Sequence, residues 1–331
     1  MSLLQIEQVS KLYPAGGLGS GMTPALRSVS FDIAAGEVVT LIGESGSGKT
    51  TLGRVVLRLT RASSGRVIFD GRDVSLLGRP QLREYYRHAQ GVFQDPFSSY
   101  NPVYKADRVF ELLRGVYFGG MPRSEWDAKI ESALHGVSLN PSDVLDKYPH
   151  QLSGGQLQRL LIARALLLDV KLLIADEIIS MLDASTRVDV LNLLVSLKRS
   201  GLAILFITHD LSLGNYISDR TVILRRGAIV EAGPTVAVFT RPQHSYTRML
   251  LDSVPQLHSK WRPASRAAAA DGNDPARVAD VLATPGAARP VRRLAMPALA
   301  IPSRRGPALA PSASAPALVE HEPGHFVAEE A

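Results

Sequence analysis

The sequence predicts a mixed α/β fold: a central sheet of strands covered by helices on both faces, with a half-buried antiparallel strand besides. Three observations predict it. Val38-Val39-Thr40-Leu41-Ile42, Leu172-Leu173-Ile174-Ala175 and Ala203-Ile204-Leu205-Phe206-Ile207 are short, almost uninterrupted apolar runs, the pattern of strands buried on both sides. Val29, Phe31 and Ile33 instead alternate with polar neighbours, as in a strand buried on one face. Each continuous run ends in a polar cluster: Gly43 onward, Asp176-Glu177, and Thr208-His209-Asp210. Open α/β sheets bind ligands beyond the carboxyl ends of their strands, so three clusters at three strand ends point to one site.

The first cluster, Gly43-Glu44-Ser45-Gly46-Ser47-Gly48-Lys49-Thr50, fits G-x-x-x-x-G-K-[ST] at every fixed position. It follows a strand and precedes a helix expected from Thr51 to Leu59, with Thr51 in the first turn. Glycines let backbone N–H groups curl around phosphate oxygens, and the helix N-terminus adds partial positive charge. In this chemistry Lys49 reaches the β- and γ-phosphates and the Thr50 hydroxyl ligates Mg²⁺. A Gly-rich turn that merely caps its own helix is the alternative, and it leaves the lysine-threonine pair unexplained. The second cluster supplies the acids. Asp176 suits holding Mg²⁺ directly or through its waters, and Glu177 suits polarising or orienting the attacking water. Asp-Glu pairs are common, so this one gains meaning only from following a phosphate loop. Together the segments predict a P-loop NTPase that binds a nucleoside triphosphate with Mg²⁺, a large class rather than one function.

Composition bounds the rest. The chain has 331 residues, 45% of them hydrophobic and 21% charged, enough for a large domain with an appendage. With no cysteine, disulfides, thiolate metal sites and cysteine nucleophiles are excluded. A net charge of +6 is mild for this length, and no Lys/Arg block resembles a nucleic-acid arm. No run approaches the ~18 apolar residues of a membrane span, and Met1-Ser2-Leu3-Leu4-Gln5-Ile6-Glu7 is not a signal sequence. The chain is expected to be soluble and to reach a membrane only through a partner.

Leu152-Ser153-Gly154-Gly155-Gln156-Leu157-Gln158-Arg159, just before the acidic strand, resembles the signature of ABC ATPases. The resemblance covers about residues 1–258 and implies a RecA-like core, an antiparallel β subdomain and a helical subdomain at about 95–165. It implies that Ser153, Gly154, Gly155 and Gln156 hold the phosphate of ATP bound on a second ATP-binding subunit, identical or distinct. By the same resemblance Gln94 is the Q-loop glutamine that contacts Mg²⁺ and water, and His209 is the switch histidine at the γ-phosphate. Asp183 falls in the D-loop that crosses the dimer interface. Tyr13 is placed like the aromatic that stacks on adenine, an ordinary packed surface tyrosine being the alternative there. Two stretches narrow the family. Phe93-Gln94-Asp95-Pro96-Phe97-Ser98-Ser99-Tyr100-Asn101-Pro102 is similar to the Q-loop region of oligopeptide and dipeptide importer ATPases. Arg241-Pro242-Gln243-His244-Ser245-Tyr246-Thr247-Arg248-Met249-Leu250-Leu251 is similar to their C-terminal extension, placed here at about 234–258.

What the resemblance implies is an ATPase that energises uptake of peptides or a similar small solute. Its implied partners are membrane permease subunits and, indirectly, a substrate-binding protein, at the cytoplasmic face of the membrane and with no nucleic acid. A non-transport ABC ATPase acting on nucleic acid or ribosomes is the alternative, disfavoured by a single signature and no sustained heptads. Ile178-Ile179 and Met181 depart from the family's Pro-Thr and Ala, which is expected to change the stiffness of that loop. Residues 259–331, rich in Ala, Pro, Arg and Ser, are expected to form a disordered tail.

Overall fold

The computed structural model describes residues 2–14, 21–253 and 315–329. Its centre is an eight-stranded sheet. The parallel part runs β3 (Val38–Ile42), β8 (Ala203–Thr208), β7 (Leu172–Asp176) and β6 (Ala89–Val92). On the other side of β3 lies β9 (Arg220–Arg225), also parallel to it, and then β10 (Ala228–Pro234), antiparallel to β9. The three apolar runs read from the sequence are β3, β7 and β8, side by side and fully buried. Their side chains alternate between two cores. Leu173, Ala175, Ile204 and Phe206 face one layer, and Leu172, Ile174, Leu205 and Ile207 the other. Burial on both faces is why none of the three runs shows polar alternation.

The first layer holds α3 (Arg108–Tyr117), α4 (Arg123–Gly136), α5 (Pro141–Val144), α6 (Gly154–Leu166) and α7 (Ala184–Arg199). Trp126 and Phe110 are buried in it, and α3 to α6 occupy the stretch expected to be helical. The second layer holds α1 (Lys49–Val56) and α2 (Arg79–His88) under a four-stranded antiparallel sheet, ordered β2 (Met22–Ala34), β1 (Ser2–Pro14), β4 (Ser64–Phe69) and β5 (Arg72–Asp73). In β2, Val29 and Ile33 are buried, as their alternation predicts. Helix α1 starts two residues before the expected Thr51, because Gly48, at φ 107°, ends the preceding loop. It stops at Val56, where Arg58 turns to φ 52°. A Cβ on Gly53 would lie 3.2 Å from both Ile174 and Ile207, so the helix rests closely on β7 and β8.

The C-terminal region departs from expectation. After α8 (Leu211–Ile217), α9 (Thr235–Thr240) and α10 (Ser245–Asp252), residues 315–329 are not a disordered tail. They form a hairpin of β11 (Leu318–Glu322) and β12 (His325–Ala328), and β12 pairs antiparallel with β10, extending the main sheet. Buried Val327 and Ala328, and a buried contact between His325 and Glu231, supply the stabilisation that composition alone did not reveal. Residues 259–314 of the expected tail lie outside the described residues.

Candidate functional site

Strand register assembles the site. Ile42 pairs with Thr208, Ile207 with Asp176, and Ala175 with Val92, so four parallel strands end level with one another. The loops that follow carry Gly43 to Lys49, His209, Glu177 and Gln94.

The phosphate loop is tight and glycine-dependent. A Cβ on Gly43 would fall 2.1 Å from the Leu224 carbonyl oxygen, and Gly46 and Gly48 adopt φ of 80° and 107°. Ser47 N–H closes a turn onto Glu44 O at 3.1 Å, while Ser45 is exposed at the tip. The Lys49 ammonium is buried and folded back on its own loop, donating to Gly43 O at 2.7 Å and Glu44 O at 2.9 Å. Burial pulls its pKa down, and the charges of Glu177, Asp176 and Glu44 oppose that pull. Lys49, Thr50 and Thr51 form the first turn of α1, where backbone N–H groups have no intrahelical acceptor and are free to meet an anion.

Opposite them stand the two acids. Asp176 is buried, and its Oδ1 has no hydrogen-bond partner. Burial raises its pKa, the Thr50 hydroxyl counters this, and Glu177 adds to it. An orphaned carboxylate oxygen beside a threonine hydroxyl fits a hard, oxygen-seeking divalent cation. Glu177 holds φ 51°, a left-handed conformation uncommon for residues other than glycine. Its N–H donates to Ile207 O at 2.9 Å, and its carbonyl accepts the Ser180 N–H at 3.1 Å and Oγ–H at 2.8 Å. Its carboxylate meets His209 Nδ1 at 3.2 Å. The loop departing from the family pattern is thus anchored: Ile178 and Ile179 are buried, and Arg187 donates to Leu182 O and Ser180 O.

Other predicted residues lie apart. Gln94 is exposed on the loop beside the Asp176 strand and hydrogen-bonds to none of these groups. Ser153 caps α6, its Oγ accepting the Gln156 N–H at 3.1 Å while Gln156 Oε1 accepts the Ser153 N–H at 2.9 Å. Gly154 opens that helix, and a Cβ on Gly155 would strike Thr186 at 2.4 Å, so α6 and α7 meet closely here. Asp183 caps α7, accepting from Thr186 N–H, Thr186 Oγ1 and Ser185 Oγ, bonds that hold its carboxyl well below the usual range. No hydrogen bond or ion pair joins Ser153, Gly154, Gly155, Gln156 or Asp183 to Lys49, Asp176, Glu177 or His209. Tyr13, partly exposed near the end of β1, pairs with Thr23 of β2, and the same β2 strand brings Ala25 and Leu26 against Gly48.

Comparison with known proteins fits this geometry. Residues 26–180 match the ABC transporter family, and residues 230–280 match the C-terminal region of oligopeptide/dipeptide transporters. A putative peptide import ATP-binding protein of Brucella abortus (strain 2308) is 44% identical over 255 residues, 76% of this chain and 78% of that protein. The chain belongs to the ABC transporter ATP-binding family. The glutathione import ATP-binding protein GsiA of Escherichia coli (strain K12) is 45% identical to this ABC ATPase over 242 residues, 72% of the chain but 38% of GsiA. Among solved structures, the dimeric post-hydrolysis state of the ATP-binding cassette MJ0796 bound to ADP and Pi superposes with TM-score 0.63 at 28% identity, over 70% of this chain and 98% of that one. CbiO1 from Clostridium perfringens, part of the transporter complex cbiONQ, gives 0.62 at 26% identity, over 72% of this chain and 91% of that one.

One contact of this ABC ATPase escaped the sequence reading. The Glu44 N–H, inside the phosphate loop, donates to the hydroxyl of buried Tyr246 at 3.2 Å. Tyr246 belongs to the stretch that marks the C-terminal extension, but nothing in its spacing points to a phosphate loop two hundred residues earlier.

Proposed function

We propose that this chain is the ATP-hydrolysing subunit of an importer for peptides or a similar small solute, working at the cytoplasmic face of a membrane. The observation that carries it is the level ending of four parallel strands around Lys49, Asp176, Glu177 and His209. Lys49 and the amides of residues 49–51 bind the β- and γ-phosphates. Thr50 and Asp176 would hold Mg²⁺, with Gln94 reaching it from the neighbouring loop. Bound there, the ion would neutralise charge on the phosphate oxygens. Glu177 orients the attacking water and takes its proton, and His209, in contact with Glu177, faces the γ-phosphate.

In this reading Ser153, Gly154, Gly155 and Gln156 act on the nucleotide of a second ATP-binding subunit, which explains why they stand away from the chain's own cradle. Asp183 sits at that same interface, and Tyr13 packs on adenine. A cleft of about 970 Å³ on the helical layer, lined by Tyr104, Arg108, Leu112, Asp127 and Tyr148 among others, is the dock for a permease subunit. The extent of the match to peptide import relatives supports the solute class and a periplasmic-type binding protein upstream, with no role for nucleic acid. No helix among the described residues is long and apolar enough to cross a membrane, in keeping with a peripheral subunit.

The test is uptake of labelled di- and oligopeptides, against sugars and nickel, by vesicles holding the complete complex. Peptide uptake that stops with Glu177→Gln is the expected result. ATP hydrolysis without uptake of any peptide would remove the solute assignment and leave the ATPase.

A further inference from the structure

The contact between Tyr246 and the phosphate loop is the last link of a chain of hydrogen bonds that begins in the C-terminal hairpin. His325 on β12 and Glu231 on β10 are 1% and 0% exposed, and His325 Nε2 lies 2.7 Å from Glu231 Oε1. Glu231 also accepts the backbone N–H of Gln243 at 2.9 Å and of His244 at 3.0 Å. A buried carboxylate with three donors fixes all three, because releasing any one leaves a charge less well solvated. The two amides belong to the turn that leads into α10. There His244 Nδ1 accepts the Tyr246 N–H at 3.0 Å and caps the helix. Tyr246, 2% exposed, is thereby aimed at the loop, and its hydroxyl accepts the Glu44 N–H. From the other side the Arg225 guanidinium stands 4.7 Å from the centre of the Tyr246 ring, one residue beyond the Leu224 carbonyl that abuts Gly43.

We propose that Tyr246 is a positioning residue of the nucleotide cradle, and that the β11–β12 hairpin, through His325 and Glu231, sets the affinity of the cradle for ATP. The inference rests on the ATP-binding reading of residues 43–51 and extends it. Glu44 follows Gly43, which lies so close to the Leu224 carbonyl that no side chain fits, so its anchored amide fixes the path by which the loop enters its glycine turns. The N–H groups at the start of α1 inherit that path. Without the anchor the loop samples other conformations, and ATP binding must reorder it.

The experiment measures equilibrium binding of ATP with Mg²⁺ to the full chain, with the thermal midpoint recorded in parallel. Tyr246→Phe removes one hydroxyl from an otherwise preserved ring and is expected to raise the Kd about three- to tenfold. His325→Leu is expected to raise it in the same direction. If both act through one chain, the double variant binds no more weakly than the weaker single variant. His325→Gln, which keeps a donor for Glu231, restores binding to within about twofold of the parent. A merely structural hairpin would lower the thermal midpoint and leave the Kd unmoved. The proposal is overturned if Tyr246→Phe binds ATP within about twofold of the parent, or if the two single effects multiply. Because Tyr246→Phe decides this by itself, poor folding of His325→Leu does not shield the idea. A parent chain that binds no ATP would instead overturn the reading of the cradle.

Discussion

In one half of the main sheet, β3, β8, β7 and β6 run parallel, the first three buried on both faces, and end together where the proposed catalytic groups stand. In the other half, β10, β12 and β11 are antiparallel and come from two stretches of chain far apart in sequence. The parallel half concentrates chemistry, since every strand delivers a loop to the same edge. The antiparallel half carries none of the groups proposed to react, yet its Glu231 holds the turn into α10, whose Tyr246 touches the phosphate loop. On the proposed reading, a sheet built this way separates the groups that react from the groups that hold them still.

The sharpest way to break the comparison is to remove one reacting group without disturbing the sheet. Glu177→Gln is expected to cut phosphate release by about 10²–10⁴-fold while ATP binding persists. An ATPase rate near the parent's would show that the parallel half does not house the general base.

The two halves should also differ in stability. Leu205, fully buried in β8, lies at the centre of the parallel half. Leu205→Ala is expected to cost about 2–5 kcal/mol, read from the urea midpoint. Val327, buried in β12, sits on the appended hairpin, and Val327→Ala is expected to cost only about 1–2 kcal/mol. Equal losses would mean that the hairpin is as central to folding as the parallel strands.

The smallest expected effect concerns Asp176. Its folded-state pKa is raised, chiefly by burial, so its ionised form is tolerated less well in the folded chain than in the unfolded one. For a carboxyl raised on folding, the destabilisation is absent below the unfolded pKa, grows as pH rises through the folded pKa, and is complete above it. Asp176→Asn should therefore raise the urea midpoint of the nucleotide-free chain at neutral pH, with the gain shrinking in mild acid. Hydrolysis with Mg²⁺ should fall at the same time. A midpoint that dropped at neutral pH would show that the carboxylate stabilises the fold, against the placement of its unpartnered Oδ1.

How much of this was legible follows from where each stabilising contact lies. The strands Val38–Ile42, Leu172–Asp176 and Ala203–Thr208 announce themselves because burial on both faces writes an apolar run, and the phosphate loop because its glycines and Lys49 are contiguous. The hairpin was missed because its strands are only five and four residues long, with partners far back in the chain. One signal was present: Pro323-Gly324, a turn dipeptide, separates Leu318-Val319 from Phe326-Val327. It was outweighed by the composition around it. The Tyr246 contact left no local signal, since a hydroxyl that meets one backbone amide imposes no spacing on the sequence.

The late position of β12 bears on how the protein is made. His325 follows Glu231 by 94 residues, which at about 5–20 residues per second is on the order of 5–20 seconds of translation. Throughout that interval β10, a strand of Ala, Ile, Val and Gly around one glutamate and ending in Pro234, has been synthesised without β12, the strand that pairs with its outer side. Such a ribbon is a template for strands of neighbouring nascent chains. Once the hairpin arrives, the outermost strand among the described residues becomes β11, whose Glu320, His321 and Glu322 deter further pairing. A ribosome that stalls before residue 315 therefore releases a product with an intact nucleotide cradle sequence and a sticky flank, which invites aggregation or degradation before it can compete for a partner.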